Sequence, residues 1–324
     1  MVPTPVGLVG AGKHGERYIR HIVEDVPELR LQLLWRRDPA AGLEQAARVG
    51  ARYVAELAEL LASPEIEAVV VVVPPALHRE ICEAAARAGK AILLEKPLAT
   101  TRAEGLAIRE AVARAGVPFL AAHTLRFNSV VRAVRDEIAA LGTLHQVWLS
   151  QRFEPSSLAW LDDPRLSGGG NLLHTGVHSF DLLRFFTGAD PRSVVARTRR
   201  VVTRNSEDEF VALFSFHGPL LGCVAGSRAT ASRSGAIEIA GEHGQIVADH
   251  VYGWAARLRG TRSEPLAVAS PVPTVREALR GFAHTIRGGG PAPITLADGL
   301  WAVSMAEACY RSADSGLEAE IEAT

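Results

Sequence analysis

Six residues near the N-terminus limit what this chain can fold into more than any others. Gly10-Ala11-Gly12-Lys13-His14-Gly15 follows a short apolar run, Val6–Val9, and opens an amphipathic stretch, Gly15–Val26. The first glycine permits a tight turn, the second lets a pyrophosphate approach the main chain, and the third lets helix pack against strand. Unpaired amides at the helix start then face the phosphates. Glycine turns are common, so the pattern gains its weight from Leu31–Trp35, a second apolar run that completes a strand–helix–strand unit. Gly10, Gly12, Lys13, His14 and Gly15 are therefore predicted to form the phosphate loop of a dinucleotide site.

The alternation of strand and helix continues to about residue 122. Helices are expected at Ala40–Val49 and Glu56–Leu61, around the short segment Ala51–Val54, and again at His78–Ala88 and near Arg102–Arg114. Ala68–Val73 is an uninterrupted, mostly β-branched run, the mark of a strand buried on both faces. Ala91–Leu94 and Phe119–Ala122 are further strands. This pitch predicts a doubly wound parallel sheet of the Rossmann type over residues 1–122.

Beyond residue 123 the pattern changes. His145–Phe153, Ser193–Thr203, Phe210–Phe216, Leu220–Ser227, Ala236–Ala240 and Gln245–Asp249 are strand-like, some joined by short glycine turns such as His217-Gly218-Pro219. They predict an α+β domain over residues 123–324, built on a large, mostly antiparallel sheet with a helix at Asn171–Phe186. The helices Thr274–Arg287 and Leu296–Asp314 are expected to pack back toward the first domain. The fold class is α/β followed by α+β.

Composition excludes several classes. With 48% hydrophobic and 22% charged residues the chain is neither disordered nor low-complexity. Lys+Arg of 35 against Asp+Glu of 36 gives a net charge of −1, so no nucleic acid or anionic membrane is an expected partner. Cys82, Cys223 and Cys309 form no CxxC pair, which favours a reducing compartment over disulfides or structural zinc. No secretory leader or membrane-length apolar run is present, and a cytoplasmic location is expected. Only Lys13, Lys90 and Lys96 are lysines among the 35 basic residues. Codon bias explains most of that, yet a retained lysine hints at a place where an ammonium is wanted.

The end of the second strand selects the dinucleotide. An acidic residue there binds a ribose 2′-hydroxyl, whereas arginine accommodates a 2′-phosphate. The chain reads Trp35-Arg36-Arg37-Asp38, with Arg36 at the usual acidic place. NADP(H) is favoured, with NAD(H) as the alternative.

Four further segments matter together: Pro74-Pro75-Ala76-Leu77-His78, Ala88-Gly89-Lys90, Glu95-Lys96-Pro97, and His123-Thr124-Leu125-Arg126-Phe127-Asn128. After them come Gly168-Gly169-Gly170 and a helix carrying His174, His178 and Asp181, whose spacing puts three side chains on one face. In this order, from residue 6 to about residue 317, the chain resembles the glucose–fructose oxidoreductase / inositol dehydrogenase / MocA (Gfo/Idh/MocA) family. The resemblance implies an NAD(P)-dependent oxidoreductase acting on a sugar, polyol or related hydroxy or keto substrate. It implies that Lys96 and His178 match the family's catalytic lysine and histidine. His174 stands where most members carry Asp, so it is expected to orient the pair in place of a carboxylate. Pro74, Pro75, His78, Glu95 and Lys96 join Arg36 and Arg37 as cofactor-side residues, and Arg126, Asn128, Trp160 and His178 as substrate-side residues. A homodimer or homotetramer is also implied.

Rival readings attach to the same residues. Two histidines at i, i+4 with Asp181 have the spacing to hold a metal, but no further ligand set accompanies them, and none is expected. Asp181 reads better as a structural pair, and Trp160 equally as a packing anchor. For the whole chain, the alternatives are an NAD-dependent glycoside hydrolase, against which Arg36-Arg37 argues, and a non-catalytic dinucleotide-binding sensor.

Overall fold

The computed structural model of the chain describes residues 2–323 and divides it into two compact units. The first runs to Ala99, resumes over Ala103–Thr124 and takes in Pro273–Leu300. The second comprises Thr100–Arg102, Leu125–Val272 and the chain from Trp301 onward.

Six parallel strands form the sheet of the first unit: β1 (Thr4–Val9), β2 (Leu29–Trp35), β3 (Arg52–Val54), β4 (Ala68–Val71), β5 (Ala91–Glu95) and β6 (Phe119–Ala122). Their spatial order is β3-β2-β1-β4-β5-β6. All four residues of β4 are buried, as a β-branched run between two helical layers requires. The layers include α1 (Gly15–Glu24), α2 (Pro39–Val49), α3 (Leu57–Ala62), α4 (His78–Arg87) and α5 (Arg102–Ala115). α1 buries Tyr18, Ile19 and Ile22, each worth roughly 1.5–3 kcal/mol if fully removed from water. The Asp38 carboxylate caps α2 by accepting from the Ala41 amide at 3.2 Å. The strand order reverses between β1 and β4, so the crevice at their carboxyl ends lies beside Gly10.

The second unit is built on nine strands: β7 (Leu144–Arg152), β8 (Ser193–Arg199), β9 (Glu209–Ser215), β10 (Leu221–Ser227), β11 (Ser234–Gly241), β12 (Gly244–Asp249), β13 (Trp254–Arg259), β14 (Arg262–Pro265) and β15 (Ala319–Glu320). Their order is β14-β13-β12-β11-β7-β10-β9-β8-β15. β7 pairs with β10 in parallel, and every other neighbour is antiparallel. In β9, Phe210, Ala212 and Phe214 are buried while Val211 and Leu213 are more than half exposed, so the sheet has one covered and one open face. The covered face shares its core with α6 (Ser129–Glu137) and α8 (Val177–Thr187), through residues such as Val134, Phe180 and Leu183. A short helix, α7 (Pro164–Ser167), precedes α8.

Of the two C-terminal helices, α9 (Thr274–Ile286) packs on α1 and beside β5 and β6 within the first unit. Arg287, just past its end, donates to the Glu28 carbonyl at 2.8 Å. The division between units falls inside α10 (Leu296–Ser315). Its first turn sets Leu300 against Gly105, whereas Ala302, Met305, Ala306 and Cys309 belong to the core of the second unit. Its long apolar run serves two cores in succession. No helix among the described residues is long and apolar enough to cross a membrane.

Candidate functional site

In the first unit the site starts at the carboxyl end of β1. Gly10 has φ of +99°, and a Cβ there would lie 2.1 Å from the Val72 carbonyl oxygen. A Cβ on Gly15 would meet the Gly10 carbonyl oxygen at 2.0 Å. Gly12 is different: nothing lies within 4 Å of where its Cβ would be. Two glycines are thus demanded by the turn itself, and the third leaves open main chain ahead of α1, which suits an approaching pyrophosphate. Lys13 is exposed in the same loop.

His14 ties this loop to the end of β5. Its Nε2–H donates to Glu95 Oε1 at 2.7 Å, and the Tyr18 hydroxyl donates to the same oxygen at 2.6 Å. The Lys96 amide donates to Glu95 Oε2 at 3.0 Å. Burial alone would raise the Glu95 pKa. The neighbouring His14 ring, the Lys96 ammonium and the donated hydrogen bonds outweigh it and hold the carboxyl well below its ordinary range. Burial and the same carboxylate push the Tyr18 hydroxyl well above its ordinary value. Glu95, expected on the cofactor side, therefore acts as a buried clamp that fixes His14 and the Lys96 main chain. Lys96 itself is half-buried at the strand end.

His78 is a correction to the sequence reading. It is fully buried, with Nδ1 2.9 Å from the Pro97 carbonyl oxygen and Nε2 3.0 Å from that of Val73. Burial lowers its pKa, while the two carbonyls and the Glu95 charge oppose the shift. Fully buried and wedged between these two carbonyls, it braces the loop of half-buried Pro74 and buried Pro75 against the Glu95-Lys96-Pro97 segment. Lys90 is likewise structural. Its Nζ donates to the Ser63 and Ile66 carbonyls at 2.7 Å each, and burial lowers its pKa.

Arg36 follows the end of β2 half-buried, and Arg37 is exposed beside it. The Arg36 Nη1–H donates to Gln45 Oε1 at 2.8 Å. Gln45 Nε2–H₂ donates to the Ala11 carbonyl at 3.0 Å and to Glu16 Oε2 at 2.7 Å. The guanidinium is thereby held at the glycine loop through a buried amide on α2. Gln45 was not a sequence candidate; nothing local marks a glutamine in an alanine-rich helix.

In the second unit the three-residue helix face does not survive intact. Leu172–Gly176 forms one π turn before α8 begins at Val177. His174 and His178 remain half-exposed, but Asp181 is only 1% exposed. Its two oxygens accept from Arg126 Nε–H at 2.8 Å and Nη2–H at 2.6 Å. The Arg126 guanidinium also lies 5.0 Å from the Phe185 ring centroid. Arg126 is therefore half of a buried ion pair. Asn128 is engaged as well: its Oδ1 caps α6 by accepting from the Val130 and Val131 amides, and its Nδ2–H₂ donates to the His250 carbonyl at 3.3 Å. With Asp181 turned inward, the His174–His178–Asp181 metal set is not assembled, and no such group of three occurs among the described residues.

His174 has a partner that sequence reasoning missed. Arg228 Nη1–H donates to His174 Nδ1 at 3.1 Å. A guanidinium can only donate, so Nδ1 carries the lone pair, the proton sits on Nε2 and the ring is neutral. Trp160 meets the same ring edge-on at 6.1 Å between centroids. Its turn is fixed by Asp162, which accepts from the amides of Arg204, Asn205 and Ser206; these bonds hold the carboxyl below its ordinary pKa although burial opposes them.

The triglycine Gly168-Gly169-Gly170 is dictated by close approach. A Cβ on Gly169 would lie 2.3 Å from the Tyr310 hydroxyl, and one on Gly170 would lie 1.9 Å from the Glu207 carbonyl oxygen. The Glu207 carboxylate accepts from the Gly170 and Leu172 amides at 3.0 and 2.8 Å and from the Tyr310 hydroxyl at 2.9 Å. Burial still raises its pKa. This buried cap sets where the His174 turn begins.

Comparison with known proteins agrees with both halves. Residues 4–123 match the family described as "Oxidoreductase family, NAD-binding Rossmann fold", and residues 131–247 match the "GFO/IDH/MocA C-terminal domain". The chain is 30% identical to 1,5-anhydro-D-fructose reductase of Ensifer adhaerens over 283 residues, covering 83% of this chain and 84% of that protein. It is 28% identical to inositol 2-dehydrogenase 2 of Saccharopolyspora erythraea, covering 98% and 95%. Among solved structures, GenD2 from gentamicin A biosynthesis, in complex with NAD, superposes with a TM-score of 0.89 at 26% identity, covering 100% of this chain and 97% of that one.

Proposed function

The chain belongs to the Gfo/Idh/MocA oxidoreductase family and is an NAD(P)-dependent enzyme, and on that basis we propose that it interconverts a hydroxyl and a carbonyl group on a sugar or polyol, with NADP(H) preferred. The observation that carries the reading is the open glycine cradle at Gly12 with Arg36 held beside it through Gln45. A 2′-phosphate fits two adjacent arginines at the end of β2 better than a bare ribose does. The names of the curated relatives support the sugar and polyol class.

When bound, the nicotinamide supplies the hydride chemistry. The protein has to orient the substrate carbon and manage one proton. His178 exchanges that proton with the reacting oxygen, and the Lys96 ammonium donates a hydrogen bond to the oxygen as alkoxide charge develops. His174, neutral and fixed by Arg228, orients the substrate by donating from Nε2. Trp160, edge-on to His174, borders the place where the substrate lies.

We further propose a homodimer or homotetramer formed through the open face of the second sheet. Trp148, Val211, Leu213 and Leu221 are each about half exposed there, and Trp148 and Leu213 both flank Cys223 on β10. Trp148→Glu should shift the particle mass in light scattering toward the monomer; an unchanged mass removes this face from the interface. The enzymatic reading is tested by a sugar and polyol panel with NADP⁺ and NAD⁺, followed at the reduced-nicotinamide absorbance. Turnover favouring NADP⁺ is expected, and turnover with NAD⁺ alone contradicts the cofactor assignment.

A further inference from the structure

The positive charge beside His174 has no counter-ion. Arg228 follows the last residue of β10, its amide donating to the Asp208 carbonyl at 2.8 Å. Its guanidinium is half-buried, lies 5.9 Å from the Phe153 ring centroid and gives one N–H to a neutral imidazole. Among the described residues no carboxylate is within ion-pair distance of it, and its buried Nε–H has no acceptor. Glu154 is paired with Arg233 at 2.6 Å, and Arg233 stacks on the same Phe153 ring at 5.8 Å. Burial and the like charge of Arg233 both disfavour the cation and lower the Arg228 pKa, yet an arginine stays protonated.

The contrast with Arg126 in the same unit is informative. There a buried guanidinium is matched by Asp181 on two oxygens. An aspartate at position 174 would stand next to Arg228 and neutralise it. This chain puts a neutral histidine there and leaves the charge uncompensated, a costly arrangement unless something else supplies the anion.

We propose that the substrate is an anionic sugar derivative, bearing a carboxylate or a phosphate, and that Arg228 recognises that group beside His174. The inference rests on the reading that the His174–His178 face receives the substrate. Arg228 sets specificity and touches no reacting atom, so its loss acts mainly on KM for the anionic substrate.

The test compares D-glucuronate and D-glucose 6-phosphate with D-glucose and myo-inositol, using wild type, Arg228→Met, Arg228→Lys and His174→Asp. One of the two anions should exceed the neutral compounds in kcat/KM by at least ~10-fold, and which one distinguishes carboxylate from phosphate. Arg228→Met should cut the anionic-to-neutral ratio by ~10-fold or more through KM, and Arg228→Lys should recover part of it. His174→Asp should lower the ratio by self-neutralising Arg228. Retained NADPH binding and an unchanged thermal midpoint identify folded variants. If no compound turns over, equilibrium dialysis with the same four probes decides. Anion binding that Arg228→Met and raised salt both weaken supports the inference while the enzymatic reading fails. Neutral compounds preferred in turnover or binding, or a ratio unaffected by Arg228→Met and salt, overturn it.

Discussion

Breaking the buried pair between Arg126 and Asp181 should destabilise the protein rather than weaken a substrate contact. Asp181 is 1% exposed and both of its oxygens receive Arg126 hydrogens at 2.6 and 2.8 Å. Arg126→Met removes the cation and leaves a carboxylate buried without compensation, which costs ~3–5 kcal/mol. Loss of the contact with the Phe185 ring adds roughly 0.5–1 kcal/mol. Urea unfolding followed by tryptophan fluorescence reads the change; with an m-value near ~3 kcal/mol per molar, the midpoint should fall by about 1–2 M. Arg126→Met combined with Asp181→Asn should lose much less than the two single losses added, because each change removes the other's unpaired charge. A midpoint shift below roughly 0.3 M together with a raised KM would refute the reasoning and return Arg126 to the substrate side.

Two further outcomes follow from the first unit. Arg36→Asp with Arg37→Ser should invert the preference for NADPH over NADH in a fluorescence titration, since charge-assisted hydrogen bonds of ~1.5–3 kcal/mol amount to about tenfold or more; equal parent affinities for the two cofactors would contradict the assignment. Glu95 has a folded pKa held below its unfolded value of about 4.3, so its stabilisation is full above that pH and is lost as pH falls through the folded value. Glu95→Gln should therefore lower the urea midpoint at pH 7, with the gap to wild type narrowing from pH 5 toward pH 3; a constant gap would show that the carboxylate's charge is not what the clamp uses.

The sequence was most informative where a local pattern had a local cause. The glycine loop and the β-branched run at Ala68–Val71 are each legible because the forces act within a few residues. The histidine face shows where that logic stops. Regular helical spacing aligns His174, His178 and Asp181, but the π turn at Leu172–Gly176 and a partner 55 residues earlier turn Asp181 into the core. Arg228 meets His174 from 54 residues away, and Gln45 reaches the glycine loop from 34 residues away, without any motif announcing either contact. The parallel pairing of β7 with β10 was equally hidden, because alternation specifies a face and not a neighbour. The family resemblance places Arg126 and Asn128 on the substrate side, and the ion pair and helix cap that engage them are contacts no local motif announces.

The central claim is that Lys96 and His178 serve one proton on one substrate oxygen, and a kinetic double-mutant cycle addresses it most directly. With the substrate identified by the panel, Lys96→Met and His178→Ala should each lower kcat by ~10²–10⁴-fold. The double variant should lose little more than the worse single one, as groups acting as a unit do. Losses that multiply, or a His178→Ala enzyme within a factor of about three of wild type in kcat, would contradict it.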